Sequence, residues 1–244
     1  MKRRSFIFLN ASALPFSVLV KNCRAESQPP VVELLGKEAP PLFDGVNFNL
    51  RKEAADAFTT MQSAALKDGV GIYSLSSYRG FSRQLGIWNR KYDIYQKSQM
   101  SPEKIISAIV QYSSIPGTSR HHWGTDADLV DAKKRRPADA LNAKHYRDGG
   151  VYKDLYQWLT AYAHEYGFFE TYTDDPKRSG YEFEPWHWSY APLSVPYLRQ
   201  WSEINLHQHI AQPPLSGREF LTHEFLDDFR RKWGFGINSA LLPK

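Results

Sequence analysis

The sequence predicts an α+β fold, a single domain in which a small antiparallel sheet is flanked by helices. Apolar residues recur at helical spacing in several segments, and short aromatic or β-branched stretches lie between those segments. The turns that join the short stretches are of hairpin length. The 244 residues suffice for one sizeable core, and no internal repeat or clear domain break interrupts them.

Amphipathic spacing predicts the helices. Four apolar residues share one face of a first helix over about 51–68, namely Ala54, Phe58, Met61 and Ala65. Gly69 ends that helix. Ser82 can cap a second helix, and Pro102 suits the first position of a third. These and later segments predict further helices over about 82–97, 102–112, 151–166 and 217–232.

Short apolar stretches predict the strands, which are expected at 70–78, 126–130, 168–172 and 181–190. The charged segment 131–150 is broken by proline and glycine and indicates a surface excursion. The basic run over 133–136 within it is interpreted as solvated. We expect an extended, proline-rich lead-in over 26–48, followed by the main domain over 49–244 with a helical extension over about 192–244.

The first 25 residues have the composition of an export signal. A basic start precedes an apolar stretch over 6–20, and Ala25 offers a small residue for cleavage. The stretch is too short and too interrupted to span a membrane, so we expect no stable membrane insertion once the signal is removed. Arg3 and Arg4 fit a twin-arginine signal, and an ordinary secretory signal explains them equally well. The mature protein is therefore expected to be periplasmic or secreted.

Charge and cysteine content exclude several function classes. The net charge of +5 comes from 31 basic and 26 acidic residues, and five of the basic ones lie in the first 25 residues. The remainder is formally neutral, which gives no reason to expect nucleic-acid binding. Cys23, the one cysteine, lies in the same segment, so the mature protein would have no disulfide and no thiolate ligand. The 7 Trp, 14 Tyr and 14 Phe are mostly assigned to the core.

Two short motifs together offer the side chains of a catalytic zinc site. In the first, Ser119 to Asp128, a turn containing Gly124 separates His121 from Asp128; the second is Glu184-Pro185-Trp186-His187. Either motif alone is more typical of structural residues. Together they supply three ligands, leaving one zinc position open for water, and a glutamate beside it. We therefore expect Zn2+ to be held by His121, Asp128 and His187.

Glu184 is the candidate general base, which would take a proton from water and pass it to the leaving amine. The following Pro185 favours an extended backbone at Glu184. Positions 184 and 187 would face opposite sides of a regular strand, so we expect a bulge or twist that brings them together. The alternative is that Glu184 is a strand residue that faces solvent.

The pattern Ser-x-His-x-x-Gly-x-x-x-Asp, followed by Glu-Pro-Trp-His, resembles the zinc D-alanyl-D-alanine carboxypeptidases of the VanY type. The family's upstream motif is matched by Ser76-Ser77-Tyr78-Arg79, and the resemblance covers about residues 70–190. It implies zinc as cofactor and peptidoglycan stem peptides as substrates. It also implies Glu184 as catalytic base, and it places further residues around the substrate, namely Tyr78, Arg79, Gln84 and Ser119.

Two further residues within the first motif leave the ligand set open. Asp126 stands where the family usually has a small residue, and it would either point away from the metal or add negative charge near it. His122 would project away from His121 on an extended backbone and is the less favoured alternative ligand.

Three functions stay open at this stage. Removal of a terminal D-alanine is favoured, with Arg79 pairing with the terminal carboxylate or with the oxyanion. An endopeptidase of the same family and a non-catalytic, zinc-stabilised module that binds wall peptides are the alternatives. Glu184 argues against the third, because a structural zinc site does not need a base. The sequence leaves the oligomeric state open.

Overall fold

A computed structural model describes residues 28–244, and it confirms the predicted α+β class. The proposed export signal over 1–25 lies outside the described residues. The strands are β1 Phe43–Asp44, β2 Asn49–Leu50, β3 Ile72–Ser76, β4 Asp126–Asp131, β5 Phe168–Tyr172 and β6 Glu184–Tyr190. The first two form a small hairpin, and the other four form one antiparallel sheet in the order β3-β4-β6-β5.

The helices surround this sheet. They are α1 Val31–Leu34, α2 Lys52–Lys67, α3 Phe81–Gln96, α4 Pro102–Val110, α5 Lys153–Tyr162, α6 Ala191–Ser202, α7 Leu206–Ile210 and α8 His223–Phe229. The apolar face predicted for the first helix is confirmed in α2, where all four of its residues are fully buried. Within residues 28–244, none of these helices is both long enough and apolar enough to cross a membrane.

Two segments differ from the sequence-based prediction. The lead-in is not simply extended, because the short helix α1 places Leu34 and Leu35 in the core. The predicted last helix is interrupted, because the Thr222 hydroxyl accepts the Phe225 N–H and starts the separate helix α8. A π-helical turn, Arg230–Gly234, continues α8. Local polar groups thus divided an apolar pattern that was continuous in sequence.

The segment after the last strand is integrated into the core. The Trp201 indole donates to the carbonyl of Gly117, in the loop before the first motif, at 3.2 Å. Trp88 of α3 donates to the Ser216 carbonyl at 3.0 Å. Both indoles are almost completely buried. The C-terminal extension therefore supports the loop before the first motif and helix α3. The sequence did not predict this role, because the extension carries no recognisable motif.

Candidate active site

The site lies where β4 and β6 run side by side in the middle of the sheet. Asp128 and His187 are directly opposite each other in the β4–β6 register. His121 belongs to the 3-10 turn Arg120–Trp123, which Gly124 ends with φ +68°. That left-handed conformation favours glycine, and it turns the chain so that His121 faces the beginning of β4. Sequence-distant motifs therefore converge through strand pairing.

The structure brings the three predicted ligands together. His121 Nε2 lies 3.4 Å from Asp128 Oδ2, and His187 Nδ1 lies 3.6 Å from Asp128 Oδ1. One ligand atom from each residue falls within 4.8 Å of the others, and all three residues are buried. Two imidazole nitrogens and a carboxylate oxygen are ligand types that zinc prefers.

The hydrogen bonds of the two imidazoles fit a metal at this position. His121 Nδ1 is 2.7 Å from the Ser77 carbonyl oxygen, so this nitrogen donates and leaves the Nε2 lone pair towards Asp128. His187 Nε2 is 3.0 Å from Asp126 Oδ1, so Nδ1 is the nitrogen that faces Asp128 and Glu184 in the cluster. Each ring thus has one nitrogen bound to protein and the other directed at a shared point, as metal-ligating histidines commonly do.

The electrostatics of the cluster favour a positive charge at its centre. Burial alone would lower the pKa of His187, but the hydrogen bonds to Asp126 and Glu184 raise it to about 9. Burial opposes ionisation of Asp128, yet interaction with His121 holds the pKa of Asp128 below its ordinary value. The carboxylates that favour a proton here would equally favour a divalent cation.

The bulge expected around Glu184 is confirmed. Glu170 of β5 faces Trp188, whereas Tyr172 faces Glu184, so four steps along β6 correspond to two along β5. This irregularity brings Glu184 Oε2 to 3.4 Å from His187 Nδ1. The Glu184 side chain keeps 22% of its surface exposed, so it borders both the cluster and the open cleft. A carboxylate in that position can exchange protons with a bound water or substrate.

Arg79 lines the same cleft, and a hydrogen bond fixes its side chain there. Its Nη1 donates to Gln84 Oε1 at 3.0 Å, and Gln84 Nε2 donates to the Ser114 carbonyl at 2.7 Å. Its Nε is buried without a hydrogen-bond partner among the described residues. Burial lowers the pKa of Arg79, although the charges of Asp128 and Glu184 act in the opposite direction. An incompletely paired guanidinium suits an anionic group on a ligand.

Some of the predicted substrate residues line the cleft, and others lie behind its lining. Ser119 lines the cleft together with Arg79. Gln84 is almost completely buried and lies outside the cleft lining, where it holds Arg79 in position. Tyr78 also lies outside the lining, and its charged neighbours include Glu33 and Arg51. Gln84 and Tyr78 therefore lie beside the cleft rather than in its lining, and their contact with the substrate stays a prediction.

His122 is a structural residue that belongs to the core. Its Nδ1 donates to the Arg79 carbonyl at 2.5 Å, and its Nε2 accepts the Gly117 N–H at 3.1 Å. Burial lowers the pKa of His122 to about 3, so the ring is neutral. With both nitrogens used, His122 does not compete with His121 as a ligand.

The cleft walls include residues that the motifs did not indicate. The cleft has a volume of about 600 Å³. Its lining adds side chains from β5, the β5–β6 connection and two loops, among them Tyr112, Ser114, Leu141, Tyr172 and Tyr181. Tyr112 and Leu141 are exposed hydrophobic residues, with 65% and 36% of their surface accessible. The abundance of aromatic residues was the available signal, but it did not distinguish cleft from core.

Comparison with known proteins identifies the family of this chain. The model of the family VanY: D-alanyl-D-alanine carboxypeptidase matches residues 47–193, which is more than half of the chain. YodJ of Bacillus subtilis (strain 168), a provisionally named carboxypeptidase, is 29% identical over 163 residues, or 66% of this chain. The match covers 53% of YodJ, so this chain spans about half the length of that relative.

Two solved structures resemble the fold. The LdcB LD-carboxypeptidase has a TM-score of 0.51 and 27% identity, covering 64% of this chain and 70% of that chain. A mutant of the vancomycin-resistance D,D-pentapeptidase VanY, in complex with Zn(II), has a TM-score of 0.50 and 20% identity, covering 76% and 90%. The second likeness concerns the fold alone. With the family match spanning both motifs and the strands that unite them, the chain belongs to the VanY family of D-alanyl-D-alanine carboxypeptidases.

Proposed function

We propose that this protein is a zinc-dependent peptidase that removes the terminal D-alanine from peptidoglycan stem peptides. The observation that carries the proposal is the buried cluster of His121, Asp128 and His187, with Glu184 beside it and Arg79 in the same cleft. With zinc bound, the cleft would combine a cation, a proton acceptor and an anion-binding group, which together suit metal-dependent hydrolysis next to a terminal carboxylate.

The chain's own residues have separate tasks in this reaction. When bound, zinc would polarise the scissile carbonyl and make a nucleophile available at neutral pH. Glu184 accepts the proton that the attacking water loses and donates it to the leaving amine. His121 and His187 direct one nitrogen each at the metal position, and Asp128 adds the negative charge that balances it. The buried position of the cluster limits competing water around the reacting atoms.

Arg79 is assigned to the terminal carboxylate of the substrate. Its guanidinium borders the cleft, is fixed by Gln84 and forms no ion pair among the described residues, so a substrate carboxylate would supply its missing counter-charge. This role distinguishes a carboxypeptidase from an endopeptidase, whose substrate has no free carboxylate next to the scissile bond. The likeness to the LdcB LD-carboxypeptidase makes cleavage of an L,D bond the second candidate, and such an enzyme also cuts beside a terminal carboxylate.

The test compares two peptides that differ only at their C-terminus. We expect the zinc-loaded protein to release D-alanine from a stem pentapeptide ending in D-Ala-D-Ala, and to act poorly on the C-terminally amidated peptide. Loss of a charge-assisted pair is worth about 1.5–3 kcal/mol, so Arg79→Ala should lower kcat/KM for the free acid about 10- to 150-fold. The same substitution should change hydrolysis of the amide little.

The control is Arg135→Ala, which removes an equal charge from an exposed position. This variant should behave like the wild type with both peptides. Equal cleavage of the acid and the amide, or cleavage at an internal bond, would favour the endopeptidase instead. A tetrapeptide substrate included in the same assay would reveal an L,D-carboxypeptidase.

We also propose that the protein acts outside the cytoplasm, in the periplasm or after secretion. Peptidoglycan, the proposed substrate, is located there. The basic, apolar and small-residue order of residues 1–25 would provide the export signal.

A further inference from the structure

The carboxylate of Asp126 lies behind the candidate metal cluster, at the position where the family pattern usually has a small residue. Asp126 is fully buried. Four side chains donate to it: Arg120 Nε at 2.9 Å, Thr125 Oγ1 at 2.6 Å, Ser189 Oγ at 3.1 Å and His187 Nε2 at 3.0 Å. Only the last of these contacts reaches a predicted metal ligand.

Strand geometry explains why Asp126 can reach His187. Asp126 and Asp128 are two residues apart on β4 and therefore share one face. In the register with β6, Asp128 is opposite His187 and Asp126 is opposite Ser189. His187 thus lies between two carboxylates, with Nδ1 near Asp128 and Nε2 bound to Asp126. Rotation of the imidazole about the Cβ–Cγ bond of His187 would break its hydrogen bond to Asp126.

Arg120 offsets the energetic cost of burying the Asp126 carboxylate. A further negative charge so close to Asp128 and Glu184 would be costly without a partner. Arg120 supplies that partner through Nε, and its Nη2 donates to Ser189 Oγ at 2.7 Å. The arginine is itself 5% exposed, and its guanidinium stacks on Trp123 at 4.7 Å from the ring centroid. Arg120 and Asp126 therefore form one buried, formally neutral ion pair under the cluster.

We propose that Asp126, held by Arg120, is a positioning residue that fixes the tautomer and orientation of His187 and thereby strengthens metal binding. The inference rests on the proposed metal site and extends it, since Asp126 is not a ligand. A carboxylate that accepts the remote N–H of a ligating imidazole makes the other nitrogen a better donor to the metal. The departure from the small residue of the family would thus be functional.

The test measures zinc affinity rather than peptide hydrolysis. Zinc binding to the metal-free protein is followed by competition with a chromophoric chelator. We expect Asp126→Asn to weaken zinc binding by about 10- to 100-fold, the range found when such partners of metal ligands are removed. The imidazole N–H proton of His187 in the zinc-loaded protein should also move upfield in the NMR spectrum, because its charged acceptor is lost.

Two further variants separate positioning from folding. The double variant Arg120→Gln with Asp126→Asn leaves no unpaired buried charge, and it should show the same loss of zinc affinity as Asp126→Asn. Ser189→Ala removes a neutral donor from the same carboxylate but keeps the bond to His187, so its affinity should stay close to wild type. Wild-type affinity in the folded double variant would overturn the proposal. Failure of the zinc-loaded wild type to cut wall peptides would instead count against the proposed function, because the affinity measurement does not depend on it.

Discussion

Replacing Glu184 by glutamine is expected to lower the turnover of wall peptides by about 10²- to 10⁴-fold while zinc remains bound. The amide has nearly the shape of the carboxylate but cannot take the proton. Glu184 lies beside the cluster, 3.4 Å from His187 Nδ1, and it is not one of the three convergent ligands. The measurement is kcat with a stem pentapeptide, made together with the zinc content of the same sample.

Glu182→Gln is the matched control for this substitution. Glu182 also lines the cleft, is exposed and carries the same charge, so its replacement should leave kcat close to the wild-type value. Near-normal turnover in zinc-loaded Glu184→Gln would show that a group other than Glu184 transfers the proton. A large loss in both variants would point to the overall charge of the cleft rather than to one base.

Loss of His187 is expected to have the largest effect on the metal. His187→Ala leaves one imidazole and one carboxylate, which is fewer than the three protein ligands of a catalytic zinc site. The loss of affinity should therefore exceed the about 10- to 100-fold that follows removal of a ligand's hydrogen-bond partner. Elemental analysis after dialysis should find one zinc per wild-type chain and little in the variant.

The exposed His164 provides a control of the same residue type. His164→Ala should retain one zinc per chain, since this histidine lies away from the cluster on a surface turn. If His187→Ala were folded and still bound one zinc with wild-type affinity, the assignment of His187 as a ligand would be wrong. Circular dichroism of each variant separates that outcome from unfolding.

Local patterns in the sequence predicted much of the fold. The helical face of α2 and the four strands of the main sheet lie close to their predicted positions, because apolar periodicity is a property of neighbouring residues. The break before α8 was missed because a single hydroxyl at Thr222 decided it. Such a bond competes with a continuous apolar pattern and leaves no periodic signal.

The candidate site could be predicted only where its chemistry is carried by motifs. The three convergent ligands and Glu184 follow from residue types and spacing. The cleft walls come from loops and from β5, whose side chains reach the site only once the strands are paired. Asp126 shows the same limit, since the β4–β6 register decides whether its carboxylate points away from the metal ligands or lies near them. Register and loop packing are long-range properties that one sequence does not display.

The most direct test of the central claim is a zinc titration of the metal-free wild-type protein during hydrolysis of a stem pentapeptide. The account predicts that release of D-alanine rises in proportion to added zinc and levels off at one zinc per chain. It also predicts that His187→Ala, titrated in parallel, shows no such stoichiometric rise. Full activity of the metal-free protein, or one tightly bound zinc without release of a terminal residue from any wall peptide, would contradict it.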